Sequence, residues 1–326
     1  MNKFLMWLSM YLSSYVVQIT RIFFLVFILT AITSCGNKSL LEEVKTFPSY
    51  PSASGIEKLN NEFYIIGDDA KNLLILDSSL NIIDSISLFP FSEQRIPKSV
   101  KADLESISIT KDNKLLLLGS GSASPYRNTG WLIYPTKKEK YFIHLDTFYQ
   151  RLILNGIKEL NIEGSCTIPG GLLLANRGNK NYPKNKLILT SDNFWENQKD
   201  APISTISIGI NKDSTKFSGV SGMCYSNKSD QLILTVSTEN THNNVDDGAI
   251  GKSYLWIVKN MSSKKKWKAI NPDKIIDLED LDHQFKGQKI ESVSIAKETS
   301  GFLHLILVAD NDNGASTIFK VIVEKD

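Results

Sequence analysis

The stretch NIEGSCTIPGGLLLANRGN, residues 161–179, contains the pattern that decides the fold of this chain. An acidic residue and a small one open a segment with strand-like alternation, two glycines form a turn, and a continuous aliphatic run follows. The same order recurs in ADLESISITKDNKLLLLGSGS, residues 102–122, and in KIESVSIAKETSGFLHLILVADND, residues 289–312. Recurrence of one phrase indicates a structure built from repeated supersecondary units.

Five segments of the chain share this outline, and each opens with Glu or Ser. The opening residues are Ser54, Glu105, Glu163, Ser221 and Glu291. Successive openings are separated by 51, 58, 58 and 70 residues, which is long for a solenoid coil and suits a four-stranded propeller blade with generous loops. Helical patterns are scarce, and a β-sandwich would leave the recurrence unexplained. The sequence therefore predicts an all-β protein, a β-propeller with five blades by motif count, and the 70-residue interval leaves room for a sixth.

The two ends of the chain are expected to close the ring. The residues after Glu291 suffice for three strands, and residues 41–50 can supply the missing outer strand of that blade. A blade made from both termini removes the exposed edge that an open sheet must otherwise protect. We therefore predict a single propeller domain over residues 41–326, closed by N-terminal and C-terminal strands and monomeric.

The N-terminal region has the pattern of a secretion signal. Arg21 is followed by the apolar run IFFLVFILTAIT, which is shorter than the roughly 20 apolar residues that a membrane-spanning helix needs. The letters ITSC at residues 32–35 resemble the bacterial lipobox, which is cleaved before a cysteine that becomes lipid-modified. The alternative is an uncleaved helical anchor that starts near Phe4.

The lipobox resemblance implies where the protein resides. On that resemblance residues 1–34 are a signal peptide, Cys35 carries acyl chains and residues 35–40 form a short tether. Several acyl chains anchor a protein stably, where one chain is marginal. Because Gly36 stands where an aspartate would favour the inner membrane, we expect an outer-membrane lipoprotein, facing either the periplasm or the cell surface.

Composition argues against several functional classes. The net charge is +2, from 37 basic and 35 acidic residues, and no basic stripe with interleaved aromatics suggests nucleic acid. The four histidines share no metal-ligand spacing, and the three cysteines are too few for a disulfide framework. Cys166 and Cys224 are expected to be buried free thiols. Neither a P-loop, a dinucleotide fingerprint nor a Gly-x-Ser-x-Gly elbow is present.

Several short motifs together resemble a known superfamily. They are DLES at residues 103–106, IEG at 162–164, LLLANRGN at 172–179, DDGAIGKSYL at 246–255 and DNDNGAS at 310–316. In their order and spacing, over residues 54–323, they are similar to the phytase-like (esterase-like phytase) β-propeller superfamily, and more closely to a lipoprotein branch of Bacteroidota-type bacteria. The resemblance implies a propeller with an acidic channel mouth, which binds calcium in some members and hydrolyses phosphate esters in others.

The repeat also predicts a candidate metal site. Glu105, Glu163 and Glu291 occupy one repeat position, so the pseudo-symmetry of a propeller places three carboxylates around one axis. Such groups repel each other unless a cation or a basic residue neutralises them. Asp68 and Asp310 follow second strands and should lie at the same face, which gives an oxygen-rich set that suits calcium. The alternative is that these opening residues hydrogen-bond neighbouring blades and hold the ring closed.

Four other residues are candidates for contact with a ligand. Arg127 and Arg177 carry planar guanidinium groups suited to phosphate or carboxylate, although either could instead form a salt bridge with the glutamates. Glu239 and His242 belong to a loop expected at the same face. The sequence thus favours a cell-envelope protein that binds a small anionic or sugar ligand, either directly or through calcium. The second hypothesis is a calcium-dependent phosphoesterase that resembles phytases, in which metal-activated water attacks the phosphate.

The lipidation hypothesis makes a direct prediction. Wild-type protein in a bacterial host should incorporate labelled fatty acid, and Cys35→Ala should abolish the incorporation because the acylated thiol is gone. The measurement is metabolic labelling followed by electrophoresis. Undiminished labelling of the Cys35→Ala variant would overturn the hypothesis.

Overall fold

Each copy of the repeated phrase folds as the two inner strands of a blade of four antiparallel strands, and one blade has a short fifth strand that is parallel to its neighbour. The computed structural model describes residues 39–209, 217–239, 250–311 and 314–325. Five sheets form the blades of a β-propeller, so the predicted fold class is confirmed. The predicted signal peptide, the predicted lipidation site Cys35 and His242 lie outside the described residues, as does most of the predicted tether.

The blades follow one another along the chain, with the innermost strand first. Blade 1 contains β2 (Ala53–Leu59), β3 (Glu62–Gly67), β4 (Asn72–Leu76) and β5 (Ile82–Ser87). Blade 2 contains β6 (Leu104–Ile109), β7 (Leu115–Gly119), β8 (Thr129–Tyr134) and β9 (Glu139–His144). Blade 3 contains β10 (Ile162–Ile168), β11 (Gly171–Asn176), β12 (Asn185–Thr190) and β13 (Ser204–Ile208). Blade 4 contains β14 (Gly219–Ser226), β15 (Gln231–Glu239), β16 (Ile250–Lys259) and β18 (Lys274–Asp277). Blade 5 contains β19 (Lys289–Glu298), β20 (Phe302–Asp310), β21 (Ser316–Glu324) and β1 (Leu40–Phe47).

Between Ser221 and Glu291, the residues that the structure describes form blade 4 and no sixth blade. Outside blade 4, these residues form the short strand β17 (Ala269–Ile270), which pairs in parallel with β13 of blade 3, two helices of four residues each, Met261–Lys264 and Leu278–Leu281, and the 3-10 helix His283–Phe285. A longer helix, Asp146–Leu154, packs beside blades 2 and 3. None of the helices in the described ranges is long and apolar enough to cross a membrane.

The opening residue of every repeat is the extra residue of a β-bulge. In blade 3, Ile162 pairs with Asn176 and Gly164 with Ala175, so Glu163 has no partner across the ladder. The same register shift occurs in the inner strands of the other four blades, at Ser54, Glu105, Ser221 and Glu291. A bulge re-aims the side chain of the extra residue and increases the local twist of the strand. The repeated phrase therefore encodes a distortion shared by all five inner strands.

The small residue after the bulge allows neighbouring inner strands to approach closely. A Cβ atom added to Gly222 of blade 4 would lie 2.5 Å from the carbonyl oxygen of Glu291 in blade 5. A Cβ added to Gly164 of blade 3 would lie 3.0 Å from the backbone nitrogen of Met223 in blade 4. Gly222 therefore cannot carry a side chain without moving blade 5, and Gly164 fits with little space to spare.

The hydrophobic core is divided among the contacts between successive blades. One cluster joins blades 2 and 3 through Leu116 and Leu174, and another joins blades 3 and 4 through Leu173 and Leu234. The remaining clusters join blades 4 and 5, blades 5 and 1, and blades 1 and 2. Each blade is thus stabilised mainly by its two neighbours, and the ring must be closed for every apolar face to be buried.

The N-terminal strand closes the ring as predicted. β1 pairs antiparallel with β21, from Leu40 opposite Ile322 to Phe47 opposite Ser316. Just beyond β1, the Tyr50 hydroxyl lies 2.9 Å from the Ile65 carbonyl oxygen of blade 1, to which it donates a hydrogen bond, while the Ser316 hydroxyl donates to the Tyr50 carbonyl at 2.8 Å. The N-terminal segment therefore joins blade 5 to blade 1.

Removal of β1 should open the ring. A chain that begins at Pro48 exposes the whole edge of β21, and we expect it to aggregate or to lose about 10 °C or more in melting temperature. A chain that begins at Ser39 retains β1 and serves as the control. Thermal unfolding followed by circular dichroism, together with light scattering, makes the comparison. Equal melting temperatures and monomeric scattering for both chains would show that β1 does not contribute to closure.

Candidate functional site

The predicted site residues gather at one end of the ring. In blades 3, 4 and 5 the start of the inner strand pairs with the end of the second strand, as in Ile162 with Asn176, Gly219 with Ser237 and Lys289 with Asp310. The bulged residues and the loops that follow the second strands therefore share this end. We call it the channel mouth.

The two serines at the bulge hold neighbouring blades together. The Ser54 hydroxyl donates to the carbonyl oxygen of Leu104 at 2.5 Å, and the Ser221 hydroxyl donates to that of Ile290 at 2.6 Å. Each acceptor lies directly before the bulged glutamate of the next blade. These two opening residues therefore hydrogen-bond neighbouring blades, as in the alternative to a metal site. Each serine links the inner strands of two adjacent blades.

Glu163 is buried and paired within blade 3. Its Oε1 atom accepts a hydrogen bond from Asn161 Nδ2 at 2.6 Å and lies 3.7 Å from Nη1 of Arg177. Arg177 also donates through Nη2 to the Ser237 hydroxyl of blade 4 at 3.1 Å, and its side chain occupies the space that a side chain at Gly219 would need. Arg177 thus forms the salt bridge that the sequence left as an alternative to ligand contact.

Glu291 has a different basic partner. Lys289, two residues earlier on β19, places Nζ 2.9 Å from Oε1 of Glu291. Oε2 is buried, and within the described part of the chain no hydrogen-bond partner reaches it. One charge is therefore neutralised while one carboxylate oxygen lacks a donor.

Arg127 pairs with an acid that the sequence analysis did not select. Its Nη1 donates to Asp103 Oδ2 at 2.7 Å, and Lys101 Nζ lies 2.9 Å from Asp103 Oδ1 and also contacts Asp68. The suggested alternative, a salt bridge between Arg127 and a bulged glutamate, is therefore wrong. Asp103 has a φ of 53°, the left-handed conformation that aspartate tolerates better than most residues, and this turns the chain just before β6.

Three carboxylates converge beside Lys101. Oxygen atoms of Asp68, Asp103 and Glu105 all lie within 4.8 Å of one another, and the described residues contain no other such group of His, Cys, Asp or Glu. Of the predicted metal ligands, this cluster includes Asp68 and Glu105. It does not include Glu163, Glu291 or Asp310.

The cluster provides the oxygen donors that calcium prefers, but Lys101 already contacts two of its members. Calcium would need six to eight oxygen ligands and would have to displace the ammonium group. The present arrangement therefore fits calcium only with a movement of Lys101.

Glu105 is the bulged glutamate that forms no ion pair within the described ranges, although the charge of Lys101 acts on it. Within the described ranges it makes no ion pair and no hydrogen bond through its carboxyl group. Burial, followed by the negative charges of Glu163 and Asp103, raises the pKa of Glu105 well above its usual range. Burial likewise raises the pKa of Asp68 to about 6, against the opposing effect of Lys101. The carboxyl of Glu105 therefore tends to keep its proton and can donate a hydrogen bond.

The residue two positions before the bulge distinguishes the three glutamates. Asn161 donates to Glu163, Lys289 forms an ion pair with Glu291, and Asp103 repels Glu105. These preceding positions lie in the same strands as the glutamates or directly before them. A comparison of the repeats at these positions could therefore have distinguished the three glutamates from sequence alone.

A cavity of about 280 Å³ lies at the mouth near blade 1. Its lining includes Asp68, Lys101 and Asp310, together with Asp69 and Arg95. Arg95, in the loop between β5 and β6, places Nε 2.6 Å from Asp69 Oδ2, and about half of its side chain is exposed. No repeat marks Arg95, so the sequence analysis missed it.

The remaining candidates are not at this site or are not described. The side chain of Glu239 lies outside the described structure, as does His242. Cys166 and Cys224 are buried free thiols, as expected. They line a cavity of about 550 Å³ that includes Glu57, and burial raises the pKa of both thiols.

The chain belongs to the Family of unknown function (DUF6929), whose sequence model matches residues 49–323. No curated protein matches the chain. The crystal structure of Myxococcus xanthus glutaminyl cyclase is similar, with a TM-score of 0.53 and 9% identity over 88% of this chain and 97% of that one.

Two further solved structures give lower scores. Selenomethionine-substituted virginiamycin B lyase from Staphylococcus aureus gives a TM-score of 0.39 at 9% identity, over 86% of this chain and 99% of that one. The nidogen/laminin complex gives 0.40 at 11% identity, over 85% and 79%. The likeness to the cyclase shows a shared propeller fold alone, and the resemblance to the phytase-like superfamily beyond that fold stays a prediction.

The unpaired glutamate makes a pH-dependent prediction. Glu105→Gln should stabilise the protein at neutral pH, because an amide avoids the cost of ionising a carboxyl near other negative charges. With a raised pKa in the folded state, wild-type stability falls as pH rises above the usual range of Glu, since the unfolded chain releases its proton first. The advantage of the variant should be absent near about pH 4 and grow by at most about 1.4 kcal/mol per pH unit above it.

Urea unfolding in the presence of a chelator, repeated across pH, measures this difference. Glu163→Gln is the matched control and should destabilise the protein, because Arg177 would then be buried without its carboxylate. An advantage of Glu105→Gln that does not change with pH would contradict the assignment.

Proposed function

We propose that the propeller binds a small anionic ligand at the channel mouth, in the cavity lined by Arg95 and Lys101. The observation that carries the proposal is the half-exposed guanidinium of Arg95, which is held at the wall of that cavity by Asp69. Acidic sugars belong to the same class of ligand if they are small enough to enter.

The position of Arg95 is fixed before any ligand arrives. Nε is bonded to Asp69, and the backbone nitrogen of Ile96 donates to the Asp69 carbonyl oxygen at 2.8 Å. Nη2 lies 3.4 Å from the Ser52 hydroxyl, a weak contact, and none of the described residues is bonded to Nη1. A guanidinium held along one edge presents its other nitrogens as a planar fork for carboxylate or phosphate, with little loss of side-chain entropy.

The cavity limits the size and charge of the ligand. Its volume of about 280 Å³ lies near the lower end for ligand pockets, so a compact molecule fits best. Lys98, Lys101 and Lys289 also line it, and they outnumber the acids there once Arg95 is included. The nearby ion pairs offer donors and acceptors for the hydroxyl groups of a small sugar acid.

A cell-envelope location is part of the proposal. It rests on the lipobox resemblance at Cys35, which would hold the propeller on a membrane outside the cytoplasm. The ligand would then be a solute of the envelope or of the surroundings.

Calcium-dependent phosphoester hydrolysis is the second candidate. The cluster of Asp68, Asp103 and Glu105 favours it, since a divalent cation there would stand beside the cavity that Asp68 also lines. A bound cation would supply a Lewis acid and an activated water. Lys101 weighs against it because its ammonium group already neutralises two of the three carboxylates.

Ligand titrations test the first candidate. Inorganic phosphate and a set of small carboxylates would be titrated into the protein by calorimetry, in the presence of a chelator. Arg95→Gln should weaken the binding of the ligand that is found about tenfold, through loss of a charge-assisted hydrogen bond. The exposed Lys137, in the turn between β8 and β9, supplies a control of equal charge change, Lys137→Gln. Equal affinities for the two variants would overturn the assignment to the mouth.

A hydrolysis assay on the same proteins tests whether calcium supports catalysis. Under the binding proposal, p-nitrophenyl phosphate is not hydrolysed with calcium or with chelator. Turnover that requires calcium, stops with chelator and is lost in Glu105→Gln would instead establish the second candidate.

A further inference from the structure

A second cavity, of about 370 Å³, lies on blade 3. It is lined by residues 156–159, which follow the helix Asp146–Leu154, by residues 176–178 and 181–184 at the end of β11 and in the loop after it, and by Lys186 of β12. Arg177, which forms the salt bridge with Glu163, is one of these residues. Its volume falls within the range of small-molecule pockets. None of the side chains that line the mouth cavity around Arg95 also lines this one.

The lining of this cavity carries an excess of positive charge. Lys158, Lys184 and Lys186 contribute ammonium groups, and within the described ranges none of them forms an ion pair. The lining acid, Glu159, accepts a hydrogen bond from Asn179 Nδ2 at 3.0 Å. Burial and then the charge of Lys184 lower the pKa of Lys186, whose Nζ donates to the Ser207 hydroxyl at 2.8 Å. Three cations near one cavity repel each other and favour an anion between them.

An aromatic ring stands at the same cavity. Tyr182 lines it with 41% of its surface exposed, and Lys158 Nζ lies 5.5 Å from the centre of the ring. A large exposed aromatic beside cations offers a flat apolar face for the ring of a ligand.

The loop that carries Tyr182 is fixed by its own hydrogen bonds. The backbone nitrogens of Asn181 and Tyr182 both donate to Asn179 Oδ1 at 2.9 Å, and Gly178 N donates to Asn185 Oδ1 at 3.1 Å. A Cβ added to Gly178 would lie 2.6 Å from the Tyr182 carbonyl oxygen, so the turn requires glycine. The backbone that carries Tyr182 and Lys184 is therefore ordered before a ligand binds, which lowers the entropic cost of binding.

We infer that this cavity binds a small phosphorylated sugar, with the phosphate between Lys158 and Lys184 and the sugar ring against Tyr182. A phosphate dianion suits a cluster of lysines, which act as point charges without the directional fork of arginine. The volume accommodates one ring and its phosphate but not a long chain. This site is separate from the one proposed around Arg95 and does not depend on it.

Calorimetric titration of glucose 6-phosphate tests the inference, with glucose and inorganic phosphate as comparison ligands. Wild type should bind glucose 6-phosphate more tightly than either, because only it offers both the dianion and the ring. Lys158→Gln and Lys184→Gln should each weaken binding about tenfold, through loss of a charge-assisted contact. Tyr182→Leu should reduce the affinity for glucose 6-phosphate to that for inorganic phosphate.

Two controls locate the binding. Lys199→Gln removes an equal charge from an exposed position of blade 3 outside the cavity, and it should leave the affinity unchanged. Arg95→Gln alters only the cavity around Arg95, which shares no lining residue with this one, and should also have no effect.

Four outcomes would overturn the inference. They are no saturable binding at millimolar glucose 6-phosphate, an equal loss in Lys184→Gln and Lys199→Gln, a loss in Arg95→Gln instead, and tighter binding of a short oligonucleotide than of the sugar phosphate. Melting temperatures of all variants establish that they are folded.

Discussion

The close approach of the five inner strands around the axis is the constraint on which the rest of the structure depends. It requires a glycine at Gly222 and favours one at Gly164, where an added Cβ would meet the backbone of the next blade. The bulge one residue earlier turns a polar side chain out of the ladder at the same level in every blade. The motif that repeats along the chain therefore contains the residues that allow the ring to close. The charged side chains at the channel mouth are a consequence of the bulge in that motif.

Much of the fold could be predicted because this constraint acts on neighbouring residues. Bulge, small residue, strand, turn and second strand follow within about 20 residues, so a short window of sequence contains the complete signal. Closure by β1 was predictable for a physical reason, since three strands after Glu291 leave an edge that needs a partner. The described part of the long interval before Glu291 forms no sixth blade, since outside blade 4 it forms β17 at the edge of blade 3 and short helices.

The site was less predictable because its partners come from loops that the repeat does not describe. Arg95 reaches Asp69 from the long connection between β5 and β6, and Lys101 bridges Asp68 and Asp103 across two blades. Such contacts depend on loop conformations for which a single sequence carries no periodic signal. The cavity around Tyr182 could not be predicted either, because lysines scattered over a loop usually belong to a solvated surface.

The pseudo-symmetry of the propeller places three glutamates at equivalent positions, and neighbouring residues determine what each glutamate contacts. Glu163, Glu291 and Glu105 begin from the same bulge, yet the first receives a donor from Asn161, the second a cation from Lys289 and the third a like charge from Asp103. Burying a carboxylate costs free energy unless charge or hydrogen bonds compensate it, and both Glu163 and Glu291 have a basic partner. Glu105 forms no ion pair within the described ranges and tends to hold a proton beside the mouth cavity. The asymmetry that a binding site needs is therefore created two residues before the bulge, within a sequence phrase whose other features serve closure of the ring.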